Sequence, residues 1–379
     1  MAFDLTSIQG VEEYLSQTPF AASNVIPLAG GNANFTYRIL LQKPYNAGSG
    51  PLVHSLVLKH AEPYVATIRD IPFLTERQDY ESMALKNVGD LTHPSPIVSV
   101  PRLYYEDPAH RVLLMADCGD SATTLKRLFQ TTPPSLEISR VIGTSLGVFL
   151  ARLHNATSIH GSPGHDIKAF FDKNLQARRI TGLITYGKLV STISPASTDP
   201  DFFEPHLDVS AAELDKIAIL AKTMQDRNLT THDVLAMGDF WPGNMIVSFS
   251  PELHVDVVDW EAVRPGLAGL EIGQFLAEMY SLRNFHPSSL GSVDVVVSSF
   301  LTAYRDIAFG EGSAAKPLEV AWDAATHFGT HLVTWTPRVP WGSKQQTREV
   351  ALEGLKYILH ATDKDDTWLQ TSIVGDLLG

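Results

Sequence analysis

The chain has 379 residues, 44% of them hydrophobic and 19% charged, with a formal net charge of −13. That length exceeds one ordinary core and suits two lobes, the composition excludes long disordered tracts, and no cluster of Lys and Arg offers a footprint for nucleic acid. The single cysteine, Cys118, excludes an internal disulfide framework and a multi-cysteine zinc site, and the 14 histidines lack metal-ligand spacing.

In chain order, helical character near Val11–Leu15 gives way to "VIPLAGGNANFTYRILL", a strand–turn–strand punctuated by Gly30 and Gly31. "NAGSGP" (46–51) reads as a loop and "SLVLKHA" (55–61) as a third strand. "TERQDYESMALKNV" (75–88) is a predicted helix, followed by two strands around the turn "EDPAH". From Ser121 the pattern turns helical. Ile142, Leu146, Phe149, Leu150 and Leu153 share one helix face. Residues 156–210, rich in Pro, Gly, Ser and Thr, read as extended loops with short helices. Ser210 and Glu213 stand in capping-box spacing at the start of another helix. "VLAMGDFWPGNMIV" and "HVDVVDWEAV" give short strands around a loop. "EIGQFLAEMYSL" is a helix with Ile272, Phe275, Leu276, Met279 and Tyr280 inward, and the remainder is mostly helical. The expected organisation is α+β and bilobal: a β-rich N-lobe over 1–116 and a mainly helical C-lobe over 117–379.

Four pieces of sequence fit one chemistry. The turn holding Gly30, Gly31 and Asn34 has bare backbone that can approach phosphates. Lys59 sits inside an apolar strand, where an ammonium needs an acidic or phosphate partner, and Glu81 on the following helix is the natural one. In "GDFWPGN", Asp239 can accept a hydroxyl proton, and Asn244 can offer an amide oxygen to a hard cation. Asp259, at the end of an apolar strand, supplies a carboxylate for the same cation. Asp256, three residues earlier, faces the other way in an extended strand, whereas Glu261 shares the face of Asp259. Glycine turn, strand lysine, helix glutamate, D-x-x-x-x-N and strand-end aspartate follow the order of parts in phosphoryl-transfer enzymes.

With these motifs, "LARLH" (150–154), "GDFWPGN" and "VDWE", the chain resembles the aminoglycoside-phosphotransferase-like and choline-kinase-like small-molecule kinases, whose fold is protein-kinase-like. "LKHAEPYVATI" and "ERQDYESMAL" are similar to the methylthioribose-kinase branch, and "VLKHAEP", "MGDFWPGN" and "HLVTWT…WGS" look like the fungal 4-hydroxytryptamine kinases. The resemblance implies ATP and Mg²⁺ as cofactors. It gives Lys59 to the phosphates, Glu81 to its orientation, Asp239 to the base, Asn244 and Asp259 to the metal, and Met115–Cys118 to a hinge facing adenine. It also implies a hydroxylated small-molecule acceptor, 4-hydroxytryptamine or a related indole amine, or else another small alcohol such as methylthioribose. Trp241, Glu261, Trp335 and Trp341 are candidate acceptor contacts, since flat rings and surplus acid suit an aromatic ammonium. Met237 departs from the family's His-Gly-Asp, so the loop needs another brace. His154 is expected to be a structural hydrogen-bonder and Trp322 a core residue.

No run reaches the roughly 18 apolar residues of a membrane span, and the early acids of "MAFDLTSIQGVEEYL" do not fit a secretory signal. A cytoplasmic protein is expected, monomeric and without membrane or nucleic-acid partners. The N-x-T triplets at Asn34, Asn155 and Asn228 are then chance matches.

Overall fold

The structure is a computed structural model that describes residues 3–48, 51–92, 97–158, 163–195, 202–310 and 315–379. Parts of the loops expected over 46–51 and 156–210 lie outside the described residues. The chain divides into two compact units, one of residues 1–89 and 100–122, the other of 90–99 and 123–379.

The first unit opens with α1 (Ile8–Leu15), capped by the Ser7 hydroxyl, which accepts from the Gly10 amide. Three strands follow, β1 (Ala22–Pro27), β2 (Phe35–Tyr45) and β3 (Val53–His60). After a small hairpin, β4 (Tyr64–Val65) and β5 (Ile68–Pro72), comes α2 (Arg77–Leu91). The chain then forms a two-residue strand of the second unit, β6 (Val98–Ser99), and returns to the first as β7 (Leu103–Asp107) and β8 (Val112–Ala116). Strands β1, β2, β3, β8 and β7 form an antiparallel sheet in that order. Alternation places Tyr37, Ile39, Leu56, Leu58, Val112 and Leu114 on the face that packs against Val11, Tyr14 and Leu15 of α1. Lys59, between Leu58 and His60, pairs in register with Leu113 of β8 and Thr36 of β2, so its side chain leaves on the opposite face.

The second unit is mainly helical. Strand β9 (Thr123–Thr124) leads into α3 (Leu125–Thr131) and α4 (Leu136–Ser158). Helices α5 (Pro163–Phe171), α6 (Leu175–Thr185) and α7 (Leu189–Ile193) follow in the segment expected to hold extended loops with short helices. Helix α6 is started by Asn174, whose side chain accepts from the Ala177 amide. Helix α8 (Ala211–Thr230) carries the expected capping box between Ser210 and Glu213. Strand β10 (Val234–Ala236) pairs with β13 (Arg264–Gly266), and the hairpin β11 (Met245–Ser248) and β12 (His254–Val257) is flanked by β9 and β6. Helices α9 (Ala268–Phe285), α10 (Leu290–Ala308), α11 (Pro317–Thr334), α12 (Lys344–Asp363) and α13 (Asp366–Thr371) complete it. On α9, Ile272, Phe275, Leu276 and Met279 are fully buried, while Tyr280 is half-buried. Trp322 is buried on α11, with its indole N–H on Asp366 at 2.7 Å. Among the described residues, no helix is long and apolar enough to cross a membrane.

Candidate active site

In the first unit, Lys59 and Glu81 form a buried ion pair, with Lys59 Nζ 2.9 Å and 2.7 Å from the two carboxylate oxygens. Gln78, one turn before Glu81 on α2, donates to the Lys59 carbonyl at 3.0 Å, which fixes the helix against the strand. Gly30 has a φ of +118°, a backbone that favours glycine, and a Cβ at Gly30 would meet nothing. Asn34 is buried at the end of the same turn, where its side-chain oxygen accepts from Arg77 Nε at 3.0 Å. Arg77 also donates to the carbonyls of Ala33, Glu62, Phe73 and Leu74. Met115 is buried at the end of β8 and Cys118 is half-buried just beyond it. This segment is fastened by Arg38, which reaches Asp117 at 2.8 Å and the Gly119 carbonyl at 3.0 Å. Arg38 and Arg77 carry no motif signal. The partners of Arg38, and Asn34 and Ala33 for Arg77, lie far away in sequence, and only the fold joins them.

In the second unit, the β11–β12 register brings Asn244 and Asp259 to the same end of one hairpin. Met245 pairs with Val257, and the Val258 amide donates to the Asn244 carbonyl at 2.9 Å, so both side chains leave the same end of one hairpin. Asp259 takes a left-handed backbone, φ 69° and ψ 62°, which costs less for Asp than for most residues. The fully buried Trp260 anchors that turn, donating its indole N–H to the Val257 carbonyl at 2.8 Å. Asp256 is used elsewhere and accepts from the Ser99 hydroxyl at 2.9 Å.

Two neutral amides hold Asp239. Gln274 Nε2 donates to Oδ1 at 2.7 Å, and Asn244 Nδ2 donates to Oδ2 at 2.9 Å. Burial, and then the neighbouring Asp259 carboxylate, push the Asp239 carboxyl up to about 6, against the pull of the two amides. The loop's missing histidine is met from α9. Glu271 Oε1 accepts from the Gly238 amide at 2.9 Å, and its other oxygen accepts from His154 Nε2 at 2.9 Å. The Tyr304 hydroxyl donates to His154 Nδ1 at 2.8 Å, so His154 is a structural hydrogen-bonder. Met237 is fully buried. Gly238, at φ +87°, leaves no room for a Cβ, which would stand 2.3 Å from the Ala262 carbonyl oxygen. Glu271, Gln274 and Glu278 fall at i, i+3 and i+7, one polar stripe on α9. Glu278 accepts from His331 at 3.0 Å and Lys126 at 3.3 Å. These contacts hold its carboxyl below the usual range although burial alone would raise it.

The four candidate acceptor contacts separate. Asp239, Asp259, Glu261, Gln274, His331 and Trp335 share the lining of a cavity of about 190 Å³. Trp241 and Trp341 instead hold the Lys126 ammonium, at 4.8 Å and 4.0 Å from their ring centres, and Trp341 also stacks on Phe285. The Glu261 backbone carbonyl accepts from Asn174 at 3.0 Å, which ties the Asp259 turn to the start of α6. The donors that Asp239, Asn244 and Asp259 could offer to a metal are all oxygens, which would suit a hard divalent cation.

Residues 25–290 match the family model described as "Phosphotransferase enzyme family". Among curated relatives, the 4-hydroxytryptamine kinases of Psilocybe cyanescens and Psilocybe cubensis are 29% and 28% identical, each covering 98–99% of this chain and 98% of the relative. A methylthioribose kinase of Geobacillus kaustophilus is 24% identical over 69% of this chain and 61% of its own length. Among solved structures, a choline kinase from Cryptosporidium parvum superposes with a TM-score of 0.50 at 12% identity, covering 91% of each chain, which shows the shared protein-kinase-like fold. The chain belongs to the phosphotransferase enzyme family.

Proposed function

We propose that this phosphotransferase, a kinase of small molecules, transfers the γ-phosphoryl group of ATP to a phenolic hydroxyl on a small aromatic amine, of which 4-hydroxytryptamine is the leading candidate. The observation that carries the catalytic assignment is the Asp239 carboxylate, held by two neutral amide donors and open to a cavity beside Asp259. In this reading the acceptor hydroxyl gives its proton to Asp239. The freed oxygen bonds to the γ-phosphorus, the bond to the β–γ bridging oxygen breaks, and ADP leaves. A phenol, with a pKa of about 10, is within reach of a carboxylate base in such a step.

Gln274 and Asn244 orient the base, and Glu271 fixes the backbone that presents it. Asn244 and Asp259 would hold Mg²⁺, which when bound offsets the charge of the phosphates and of the clustered acids. Asn244 commits its amide nitrogen to Asp239 and so keeps its amide oxygen for a cation. Lys59, oriented by Glu81, takes the α- and β-phosphates, with the Gly30–Gly31 turn and the Met115–Cys118 segment assigned to the rest of the nucleotide. Full-length similarity to two 4-hydroxytryptamine kinases supports the choice of acceptor.

The test is parallel ATP turnover with 4-hydroxytryptamine, methylthioribose, choline and an aminoglycoside. The indole amine is expected to lead. A preference above tenfold in kcat/KM for any of the others overturns the acceptor and leaves the phosphotransferase standing. No transfer to any acceptor, with nucleotide binding intact, favours a nucleotide-binding module.

A further inference from the structure

Helix α6 shows an apolar face to the cavity beside Asp239. Ile180, Thr181, Ile184 and Thr185 all line it, at the i, i+1, i+4, i+5 spacing of one helical face. The helix buries Ala177, Arg178, Gly182 and Thr185, whereas Ile180 and Ile184 stay half-exposed. Large aliphatic side chains left half-covered in a concavity that also holds a carboxylate are a feature of ligand sites.

The neighbouring wall is flat and fixed. Trp335 donates its indole N–H to Thr185 Oγ1 at 3.2 Å and stacks on His331, with ring centres 5.9 Å apart and planes 22° apart. Glu278 in turn holds His331. A wall pinned in this way needs little ordering when a ligand arrives.

The lining therefore has a polar side, with Asp239, Asp259, Glu261 and Gln274, and an apolar side, with Ile180, Ile184 and Trp335. A sugar alcohol can use the polar side of this space, but its hydroxyls on the Ile180–Ile184 side would lie against aliphatic carbon, and each buried hydroxyl without a partner is unfavourable. An aromatic ring with one hydroxyl can set that hydroxyl at Asp239 and leave its carbon edges against the isoleucines. We propose that this cavity is the acceptor subsite and that Ile180, Ile184 and Trp335 select a flat aromatic alcohol over a sugar alcohol. The inference rests on the reading of Asp239 as the base, and it names the residues that decide which acceptor reaches it.

The test is calorimetric binding to the full chain in the presence of Mg²⁺ and a non-hydrolysable ATP analogue, with 4-hydroxyindole and methylthioribose as probes. Wild type is compared with Ile184→Ser, which removes apolar wall, and Ile180→Trp, which fills the cavity. Both positions are half-exposed, and a thermal melt checks that each variant folds. The Kd for 4-hydroxyindole is expected to rise about tenfold or more in Ile184→Ser. Binding should be lost in Ile180→Trp, with the Kd of the ATP analogue unchanged in both. The subsite is overturned if wild type does not bind 4-hydroxyindole, or if its Kd stays within twofold in both folded variants. The selectivity is overturned if methylthioribose binds wild type more tightly. Because binding is read without transfer, a subsite that passes here stands even if turnover rejects 4-hydroxytryptamine.

Discussion

The Lys59–Glu81 pair in the first unit and the Asp239 loop in the second solve opposite electrostatic problems. Lys59 and Glu81 are opposite charges, buried together and satisfied within hydrogen-bond distance. Asp239 and Asp259 are like charges, and the donors on Asp239 are uncharged amides. Burial first, and the Asp259 carboxylate second, push the Asp239 carboxyl up to about 6, whereas the Lys59–Glu81 charges offset each other. On the function proposed above, the lysine side would accept phosphate by sharing the cation that Glu81 orients, and the aspartate side would accept a divalent cation.

The largest way to break this comparison is at the cation. Asp259→Ala removes the carboxylate that Asn244 cannot replace, so transfer should fall by on the order of 10³ or more, with Mg²⁺-dependent nucleotide affinity reduced. Steady-state turnover and a Mg²⁺ titration of nucleotide binding check it. Near-normal turnover would place the metal elsewhere.

Next comes the pair itself. Lys59→Met leaves Glu81 charged and buried without its ammonium, a loss of about 3–5 kcal/mol in stability, together with a raised KM for ATP or no activity. Adding Glu81→Leu should recover most of the stability and none of the activity. Urea unfolding of the single and double variants measures the first, turnover the second. Recovered activity in the double variant would remove Lys59 from the phosphate role.

The brace on the loop is smaller. Glu271→Leu leaves the Gly238 amide and His154 Nε2 without their acceptor, about 1–3 kcal/mol for each unsatisfied group. Tm should fall, and kcat should fall with it while the KM for ATP holds. An unchanged Tm would mean that the loop is held by other contacts.

The smallest effect is on pH dependence. The folded Asp239 carboxyl lies near 6, above the ordinary 3.8, so the folded state holds a proton that the unfolded state has released between those values. That contribution is present below the unfolded pKa and lost as pH rises through the folded one. Without Mg²⁺, wild type should therefore lose stability relative to Asp239→Asn between about pH 4 and pH 7, and the difference should shrink when Mg²⁺ is added. Parallel melts across that range measure it, and identical pH profiles would contradict the raised carboxyl.

The comparison also separates what the sequence makes legible. Lys59 stands out because an ammonium inside "LVLKHA" has few physical explanations, and the spacing of Asp239, Asn244 and Asp259 survives as a local pattern on one hairpin. Strand alternation and helical periodicity likewise carry the β-rich and helical regions. What is not legible depends on long-range packing. Gln274 and Glu271 are two polar residues on a helix otherwise read by its apolar face. Their i, i+3, i+7 spacing with Glu278 is the available signal, but only the fold shows that this stripe faces the loop. Ile180 and Ile184 lie in a segment whose Pro, Gly, Ser and Thr content suggested loops with short helices, and nothing local marked which of its residues face a cavity. Trp241 and Trp341 read as flat walls for a ligand, yet they enclose Lys126, more than 100 positions from either.

The central claim is that Asp239 takes the acceptor proton in phosphoryl transfer from ATP. The measurement that tests it most directly is single-turnover transfer of the γ-phosphoryl group to 4-hydroxytryptamine by wild type and Asp239→Asn, with nucleotide affinity measured on the same samples. The predicted result is a rate lower by about 10²–10⁴-fold with nucleotide affinity retained. Transfer by Asp239→Asn at a rate near that of wild type would contradict it.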